Sequence, residues 1–328
     1  MRIAVTGSIA TDHLMTYQGR FADSLVVDQL DKISLSFLVE ELEIRRGGVA
    51  PNICFGMGNL GLRPLLVGGA GADFEDYRSW LERHGVDTSG VRVSELKHTA
   101  RFVCTTDDDH AQIASFYSGA MSEARNIELA PLVVRHGGVD LVVISANDPE
   151  GMLRHTEECR SRGYAFAADP SQQLAFADGP TIRRLIDGAA YLFSNEYEAA
   201  LIEQKTGWTS ADVLERVGTR VTTLGAQGSR IDVKGEEPVH VPVARELAKV
   251  DPTGVGDAFR AGFLAGLAWG LGHERCAEIG SMVATYVIET VGTQEYELGR
   301  GGFLERFEAA YGAASVADVA PNLRCLRP

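Results

Sequence analysis

The feature that most constrains the fold is a regular alternation of predicted strands and helices between residues 141 and 224. Short apolar runs bounded by turn residues predict strands, and longer runs with helical spacing predict helices. The strands cover residues 141–145, 165–169, 191–194 and 221–224, and the helices cover 151–162, 181–187 and 197–205. Strands that alternate with helices in this way form a mostly parallel sheet with helices on both faces.

The same criteria extend this pattern over most of the chain. They add strands at 2–7 and 65–69, a hairpin at 229–243, and helices at 52–60, 74–83, 257–270, 273–290 and 303–311. The tail beyond residue 311 shows no clear pattern, and we find no linker and no repeat. The predicted fold class is therefore α/β, with a doubly wound, mostly parallel sheet in one domain spanning residues 1–328.

Three early segments do not follow the alternation and predict a small separate sheet: residues 14–20, 33–46 and 100–117. The last segment is predicted to form a hairpin, with strands 100–106 and 112–117 around an acidic turn. Residues 35–39 are apolar on both faces, so this strand needs cover from a ligand, the core or a partner subunit. We expect a lid over the substrate and a homodimer formed through the lid sheet.

Charge and cysteine usage exclude several classes of protein. Forty-five acidic and 31 basic residues give a formal charge of −14, and no lysine and arginine cluster is present that would follow a nucleic-acid backbone. Five widely spaced cysteines without a C-x-x-C pair indicate buried thiols and a cytoplasmic location. The most apolar long region, residues 254–272, is interrupted by Asp257 and Arg260, which argues against a membrane span.

A glycine turn that runs into a helix is the strongest chemical signal. Gly254, Val255 and Gly256 can point successive N–H groups at one point in front of the helix, which is an anion site. Asp257 follows in the first helical turn, where its carboxylate could take a proton from a hydroxyl. Alternatively, Asp257 only caps the helix dipole and the glycines only form a turn. Because the net charge opposes an anionic ligand, we expect a divalent cation at this site.

Polar residues also follow the first predicted strand, where open α/β sheets bind ligands. Asp12, in the predicted turn beyond residues 2–7, could accept two hydrogen bonds from a vicinal diol, and Gly48 with Asn52 could complete a ribose site. The alternatives are that Asp12 is a turn residue and that Asn52 is a helix N-cap.

Two further groups of residues suit a nucleotide. The oxygens of Asn195 and Glu198 suit Mg²⁺, often through water, although the two side chains could instead pair at a helix start. The loop that contains Thr223, Gly225 and Gly228 can bend closely around ATP phosphates and ribose. The chain contains no G-x-x-x-x-G-K-[ST] motif, so P-loop chemistry is disfavoured.

Three motifs in one order resemble the ribokinase-like, PfkB-type carbohydrate kinases. They are Gly-Gly-x-x-x-Asn at 47–52, Asn-x-x-Glu at 195–198 and Asp-x-Thr-Gly-x-Gly-Asp at 251–257, and the resemblance covers essentially the whole chain. The stretches SIATDHL, RGGVAPN, FAADPSQQ and DPTGVGDAFRAGF resemble the bacterial adenosine kinases of this family more narrowly. One such motif alone would be weak, but three in order with strand and helix alternation between them are specific.

The resemblance implies phosphoryl transfer from ATP to the 5′-hydroxyl of adenosine. It implies that Asp257 is the base, that Gly254 to Gly256 form the phosphoryl cradle, and that Asn195 and Glu198 serve Mg²⁺. It also implies a nucleotide loop at Thr223, Gly225 and Gly228, with Gly256 contacting the nucleotide as well. Ser8 and Ser36 complete the expected substrate-binding set. Activation by a monovalent cation such as K⁺ occurs in the family, but its ligands are not assigned here.

A kinase that selects adenosine over a free sugar needs a site for a flat apolar base. Phe102 and Phe116 could stack on a purine, for which one ring contributes roughly 1–3 kcal/mol. Both lie on one face only if Thr106 pairs with Gln112; a loop shorter by one residue would separate them. Gln172 and Gln173 could hydrogen-bond the base edge. Alternatively, both phenylalanines are ordinary lid packing.

Other functions fit less well. Within the same class, the acceptor could be ribose, fructose or another nucleoside. A nucleotide-binding dehydrogenase would have a similar sheet, but no G-x-G-x-x-G follows the first strand. A non-catalytic sugar-binding protein has no need of a carboxylate at Asp257. The eight histidines show no metal-ligand spacing and are expected to be surface or structural residues.

Overall fold

The computed structural model describes residues 1–24 and 36–327. Its strands, in chain order, are β1 Ile3–Thr6, β2 Ala10–Thr16, β3 Glu41–Gly47, β4 Leu65–Gly71, β5 Asp87–Ser94, β6 Ala100–Thr106, β7 Gln112–Tyr117, β8 Leu141–Ser145, β9 Phe166–Asp169, β10 Tyr191–Asn195, β11 Thr219–Thr223, β12 Ser229–Val233 and β13 Val239–Val241.

Helices connect most of these strands. They are α1 Phe21–Ser24, α2 Val49–Asn59, α3 Glu75–Arg83, α4 Leu129–Arg135, α5 Pro149–Arg162, α6 Gly179–Ile186, α7 Glu196–Thr206, α8 Ser210–Leu214, α9 Val255–Ala268, α10 His273–Ile288, α11 Arg300–Tyr311 and α12 Ala313–Val319. Within the described ranges, no helix combines the length and the apolarity needed to cross a membrane.

The large sheet has the order β13-β12-β11-β10-β9-β8-β1-β4-β5 among the described residues. Pairing is parallel from β5 to β11, and β12 and β13 add antiparallel strands at one edge. Strands β1, β4, β8 and β9 are buried throughout, which explains their continuous apolar sequences. The structure confirms the predicted doubly wound α/β sheet.

Helices cover both faces of this sheet. Successive residues of the central strand β1 pack into two different apolar cores, one on each face. Ile3 and Val5 belong to one apolar core, which includes Phe263 of α9 and Met282 of α10. Ala4 belongs to the opposite core, which includes side chains of α5, α6 and α7. Because strand side chains alternate between faces, β1 needs cover on both sides. The carboxyl ends of the parallel strands therefore form one edge where the connecting loops meet.

The small sheet has the order β3-β2-β6-β7. The hairpin was predicted with the observed bounds, and Thr106 pairs with Gln112, so Phe102 lies opposite Phe116. The strand predicted at 14–20 is wrong in its bounds, because β2 spans Ala10–Thr16 and pairs with β3 and β6 over that length. Of the strand predicted at 33–46, residues 33–35 lie outside the described ranges and 36–40 are not in a strand.

Several elements with weak local patterns were not predicted from the sequence. Strand β5 has the sequence DTSGVRVS, which lacks clean apolar alternation, and it is held at the sheet edge by pairing with β4. Helix α12 lies in the tail that showed no pattern. In both cases the tertiary environment decides the conformation more than the local sequence does.

Candidate active site

Two cavities of about 390 Å³ each meet at the amino end of helix α9. We call the first the acceptor cavity, because the small sheet and α2 border it, and the second the nucleotide cavity, because the predicted nucleotide loop borders it. Gly254 and Asp257 line the acceptor cavity, and Val255 and Gly256 line the nucleotide cavity. The glycine turn is therefore the partition between the two.

Most of the predicted substrate residues converge on the acceptor cavity. Its lining includes Ser8, Asp12, Gly48, Asn52, Phe116, Gln172 and Gln173. Ser36 is exposed and does not line this cavity. Phe102 is also absent from the lining, although its pairing with Phe116 places both rings on the same face of the small sheet.

The predicted nucleotide residues also converge. Asn195, Thr223, Gly225, Gly228 and Gly256 all line the nucleotide cavity. The remaining lining is largely apolar, with Phe259, Val243 and Ile288 among its members. A mostly apolar pocket with a few polar groups at one end is the usual form of a small-molecule site.

The turn at the start of α9 requires glycine at its first position. Gly254 has φ 77° and ψ −1°, in the left-handed region, and a Cβ there would lie 2.8 Å from the Thr293 side chain. The residue is the N-cap of a 14-residue helix and offers no side-chain cap. The first N–H groups of α9 therefore lack side-chain acceptors. Val255 N donates to Pro252 O at a long 3.4 Å, and the N–H groups of Gly254 and Gly256 are available to an anion.

Asp257 opens onto the acceptor cavity but is closely surrounded by protein. Burial raises its pKa to about 7; Arg260 and a hydrogen bond from Asn52 oppose this rise, and Asp169 and Glu198 add to it. Asn52 Nδ2 donates to Asp257 Oδ2 at 2.8 Å. A carboxyl group with a pKa near neutrality can exchange a proton with a substrate hydroxyl at physiological pH.

Asn52 is held in one orientation by two donors. Its Oδ1 accepts hydrogen bonds from Thr293 Oγ1 and Gln294 Nε2, both at 2.9 Å, which leaves Nδ2 directed at Asp257. The residue lies within α2, whose N-cap is Gly48, so the N-cap alternative for Asn52 is wrong. The contact of Asn52 with Asp257 was not anticipated from the sequence.

Asp12 lies in strand β2, so its predicted placement in a turn is wrong. The β1 to β2 connection is short, and pairing of β2 with two neighbours extends the strand through this residue. Asp12 pairs with Arg45 on one side and with Phe102 on the other. Burial raises the pKa of its carboxyl group, and the nearby Arg45 opposes that rise.

Asn195 and Glu198 form the helix-start pairing that the sequence analysis considered. Glu198 N donates to Asn195 Oδ1 and Asn195 N donates to Glu198 Oε2, both at 2.8 Å, in a capping box at the start of α7. The other oxygen of Glu198 accepts no hydrogen bond from the described part of the chain.

These residues still fit Mg²⁺. In the described ranges, no three His, Cys, Asp or Glu side chains converge as a metal cage. Mg²⁺ commonly uses one or two protein oxygens and completes its shell with water and substrate phosphates. Three carboxyl groups, those of Asp169, Glu198 and Asp257, surround the single guanidinium of Arg260, which favours a divalent cation nearby.

A buried ion cluster that was not predicted from the sequence lies beneath the turn. Arg260 Nη2 lies 2.6 Å from Asp169 Oδ1 and 3.9 Å from Glu198 Oε2. The available signal was the charged Arg260 within an otherwise apolar helix, three residues after Asp257.

Two other lining residues of the acceptor cavity were also missed. Asn147 is 1% exposed, and its Nδ2 has no hydrogen-bond partner among the described residues. Phe176 is 84% exposed at the cavity. A buried amide donor directed into the cavity suits a polar occupant, whether water or a ligand, and the ring of Phe176 adds apolar surface beside it.

Comparison with known proteins agrees with this geometry. The model of the pfkB family carbohydrate kinases matches residues 5–298. The ligand-free nucleoside kinase of Burkholderia thailandensis is 34% identical, with a TM-score of 0.85 over 93% of this chain and 100% of the other. The same enzyme in complex with inosine gives a TM-score of 0.81, covering 95% of this chain and 98% of the other.

A curated relative supports the same group. The nucleoside kinase of Methanothermobacter thermautotrophicus is 30% identical over 289 residues, which is 87% of this chain and 92% of the relative. The relatives named here are nucleoside kinases, so the narrower resemblance to bacterial adenosine kinases is not established by them.

Asp257→Asn is expected to be more stable than the wild type above about pH 7. The folded-state pKa of about 7 exceeds the ordinary value of 3.8, so native wild type binds an extra proton between these values and loses stability as pH rises through them. The stability difference should grow by at most about 1.4 kcal/mol per pH unit and level off above about pH 7.

Urea unfolding at about pH 5 and about pH 8 measures this difference. Asp76→Asn, on the exposed surface of α3, is the matched control and should show no such growth. An equal difference between Asp257→Asn and wild type at both pH values would contradict the raised pKa.

Proposed function

This chain belongs to the PfkB family of carbohydrate kinases, and from that premise we propose that it phosphorylates the 5′-hydroxyl of a nucleoside with ATP. The observation that carries the proposal is the position of the glycine turn. It divides the acceptor cavity from the nucleotide cavity, with Asp257 facing the first and Gly256 facing the second. A phosphoryl group bound at the turn would lie between the two substrates.

The reaction that this arrangement supports is direct transfer. The acceptor oxygen attacks the γ-phosphorus, the bond from that phosphorus to the β,γ-bridging oxygen breaks, and ADP leaves with the electron pair. The hydroxyl proton passes to the Asp257 carboxylate, whose orientation Asn52 fixes. The N–H groups of residues 254–256 would stabilise negative charge on the transferring group. Catalysis of this kind depends mainly on positioning and charge.

Asn195 and Glu198 are the residues that would hold Mg²⁺ in this scheme, through water or directly. The ion would neutralise charge on the ATP phosphates. Both residues belong to the first turn of α7 or its cap, and Asn195 lines the nucleotide cavity. Their mutual hydrogen bonds fix the orientation of the carboxylate and amide oxygens.

The lining of the acceptor cavity favours a nucleoside over a free sugar. Asp12, Gly48 and Asn52 form a polar end suited to ribose hydroxyls, and Phe116 and Phe176 add aromatic surface to the same cavity. Phe116 is 54% exposed and Phe176 is 84% exposed. A free pentose would leave both rings in water, whereas a purine could cover them.

We propose adenosine as the acceptor, with AMP and ADP as products, which would give the enzyme a role in purine salvage. Gln172 and Gln173 line the same cavity and offer amide donors and acceptors to a base edge. The Burkholderia thailandensis relative was solved with inosine, so inosine is the most direct competitor. Ribose and fructose remain the alternatives among free sugars.

Asp257→Asn tests the assignment of the base. The variant keeps the size of the side chain and an acceptor for Asn52, but it loses the proton-accepting carboxylate. We expect kcat for adenosine to fall by roughly 10²- to 10⁴-fold, the usual contribution of a general base, while KM changes little. Steady-state kinetics with ATP and Mg²⁺ measures this, with Asp76→Asn as the control. Turnover within about threefold of wild type would remove Asp257 from this role.

We also propose a homodimer formed through the small sheet. The face that carries Asp12 and Phe116 borders the acceptor cavity, and the opposite face exposes Leu42, Ile44 and Ile113. The exposed fractions of these three side chains are 56%, 59% and 47%. Exposure of this apolar face to water is unfavourable, and a second copy of the chain would cover it.

Sedimentation at micromolar concentration tests the dimer. Wild type should show about twice the 35.4 kDa mass of the chain. Ile44→Glu should shift the protein towards the mass of a single chain, because it places a charge in the interface. A wild-type protein with the mass of one chain would contradict the proposal.

A further inference from the structure

A buried arginine lies directly behind the glycine turn. Arg260 is 7% exposed on the second turn of α9, and Asp169, its partner at 2.6 Å, is fully buried at the end of β9. The second nearby carboxylate is Glu198 at 3.9 Å. The guanidinium thus joins the catalytic helix to the end of β9 and the start of α7.

Arg260 also fills the space beneath the last glycine of the turn. A Cβ on Gly256 would lie 2.8 Å from Arg260 Nη1, whereas Nη2 faces Asp169. Gly256 does not have the positive φ that demands glycine. A side chain at this position would therefore have to displace the end of the Arg260 side chain.

Pairing with Asp169 alone does not account for this arrangement. Burying a guanidinium and a carboxylate together often contributes little net stability, because desolvation offsets their attraction. Arg260 lies among three carboxyl groups, including that of Asp257. Its Nη1 approaches Gly256, in the turn that we expect to bind an anion. A positive charge behind the N–H groups of the turn would strengthen the anion site.

We propose that Arg260 is a positioning residue for phosphoryl transfer, which holds the Gly254 to Gly256 turn against Glu198 and supplies positive charge behind the anion site. The turn itself contains no basic residue. The positive charge nearest the turn therefore belongs to the buried guanidinium of Arg260. The missing side chain of Gly256 leaves space for that guanidinium.

A double variant distinguishes the proposed role of Arg260 in catalysis from a purely structural role. Arg260→Gln alone should unfold at a lower temperature, because it leaves Asp169 buried without its partner. It should also lower kcat by about 10²-fold, the loss that a misplacement of about 1 Å can cause, with KM for adenosine changed by less than about threefold. The double variant Asp169→Asn with Arg260→Gln removes both charges together.

We expect the double variant to recover the unfolding temperature but to keep the loss in kcat. Recovery of both properties would show that Arg260 serves only to neutralise Asp169, and it would overturn the proposal. Arg260→Lys keeps a positive charge without the planar fork, so it should fold and recover part of kcat. If Arg260→Gln does not fold, the double variant and the lysine variant still decide the question.

Arg275→Gln is the matched control for the loss of an ion-paired arginine. Arg275 lies on α10, is paired with Glu278 at 2.7 Å and with Asp318 at 3.1 Å, and lines neither cavity. Its removal should lower stability and leave kcat within about twofold of wild type. A fall in kcat equal to that of Arg260→Gln would count against a specific role for Arg260.

The inference rests on the proposed phosphoryl transfer at Asp257, and the two can fail separately. If wild type phosphorylates no nucleoside or sugar, or if Asp257→Asn is fully active, the proposed function fails. If wild type is active and Asp257→Asn is not, but the double variant turns over like wild type, only the role of Arg260 fails.

Discussion

The left-handed glycine turn at the start of α9 is the constraint on which the site depends. A left-handed glycine at the N-cap ends the preceding loop and lets the first N–H groups of a long helix face outward without a side-chain acceptor. The parallel sheet places this helix end at the same edge as the loops after β1, β9, β10 and β11. One backbone conformation therefore fixes where an acceptor, an anion and a nucleotide can meet.

Charge is the second constraint, because a chain with a net charge of −14 must attract an anionic co-substrate. The structure provides the attraction for an anion locally, at the start of α9. Oriented N–H groups supply partial positive charge at the turn, the guanidinium of Arg260 lies behind it in an ion pair with Asp169, and the carboxyl groups beside Arg260 favour a divalent cation. Burial raises the pKa of Asp257 to about 7, into the range that suits a general base; Arg260 and Asn52 oppose this rise, and Asp169 and Glu198 add to it.

The sequence predicted the parts of this account that follow from local pattern. Strand and helix alternation was sufficient for the large sheet. The pairing of Phe102 with Phe116 depends on the register of the hairpin, which the sequence left open between two loop lengths and the structure decides. Asp12 was misplaced because sheet pairing, and not local propensity, extends β2 through it. The Arg260 to Asp169 pair joins residues 91 positions apart (260 minus 169), and such contacts are decided by tertiary packing, which periodicity does not encode.

The most direct test of the central claim is a comparison of kcat/KM for adenosine, inosine, guanosine, ribose and fructose, with ATP and Mg²⁺. If Phe116 and Phe176 cover a base, adenosine should exceed both free sugars by at least about 10²-fold, or about 2.7 kcal/mol of transition-state stabilisation. Equal or greater efficiency with ribose or fructose would contradict the assignment of the acceptor cavity to a nucleoside. No turnover of any of the five would contradict the kinase function itself.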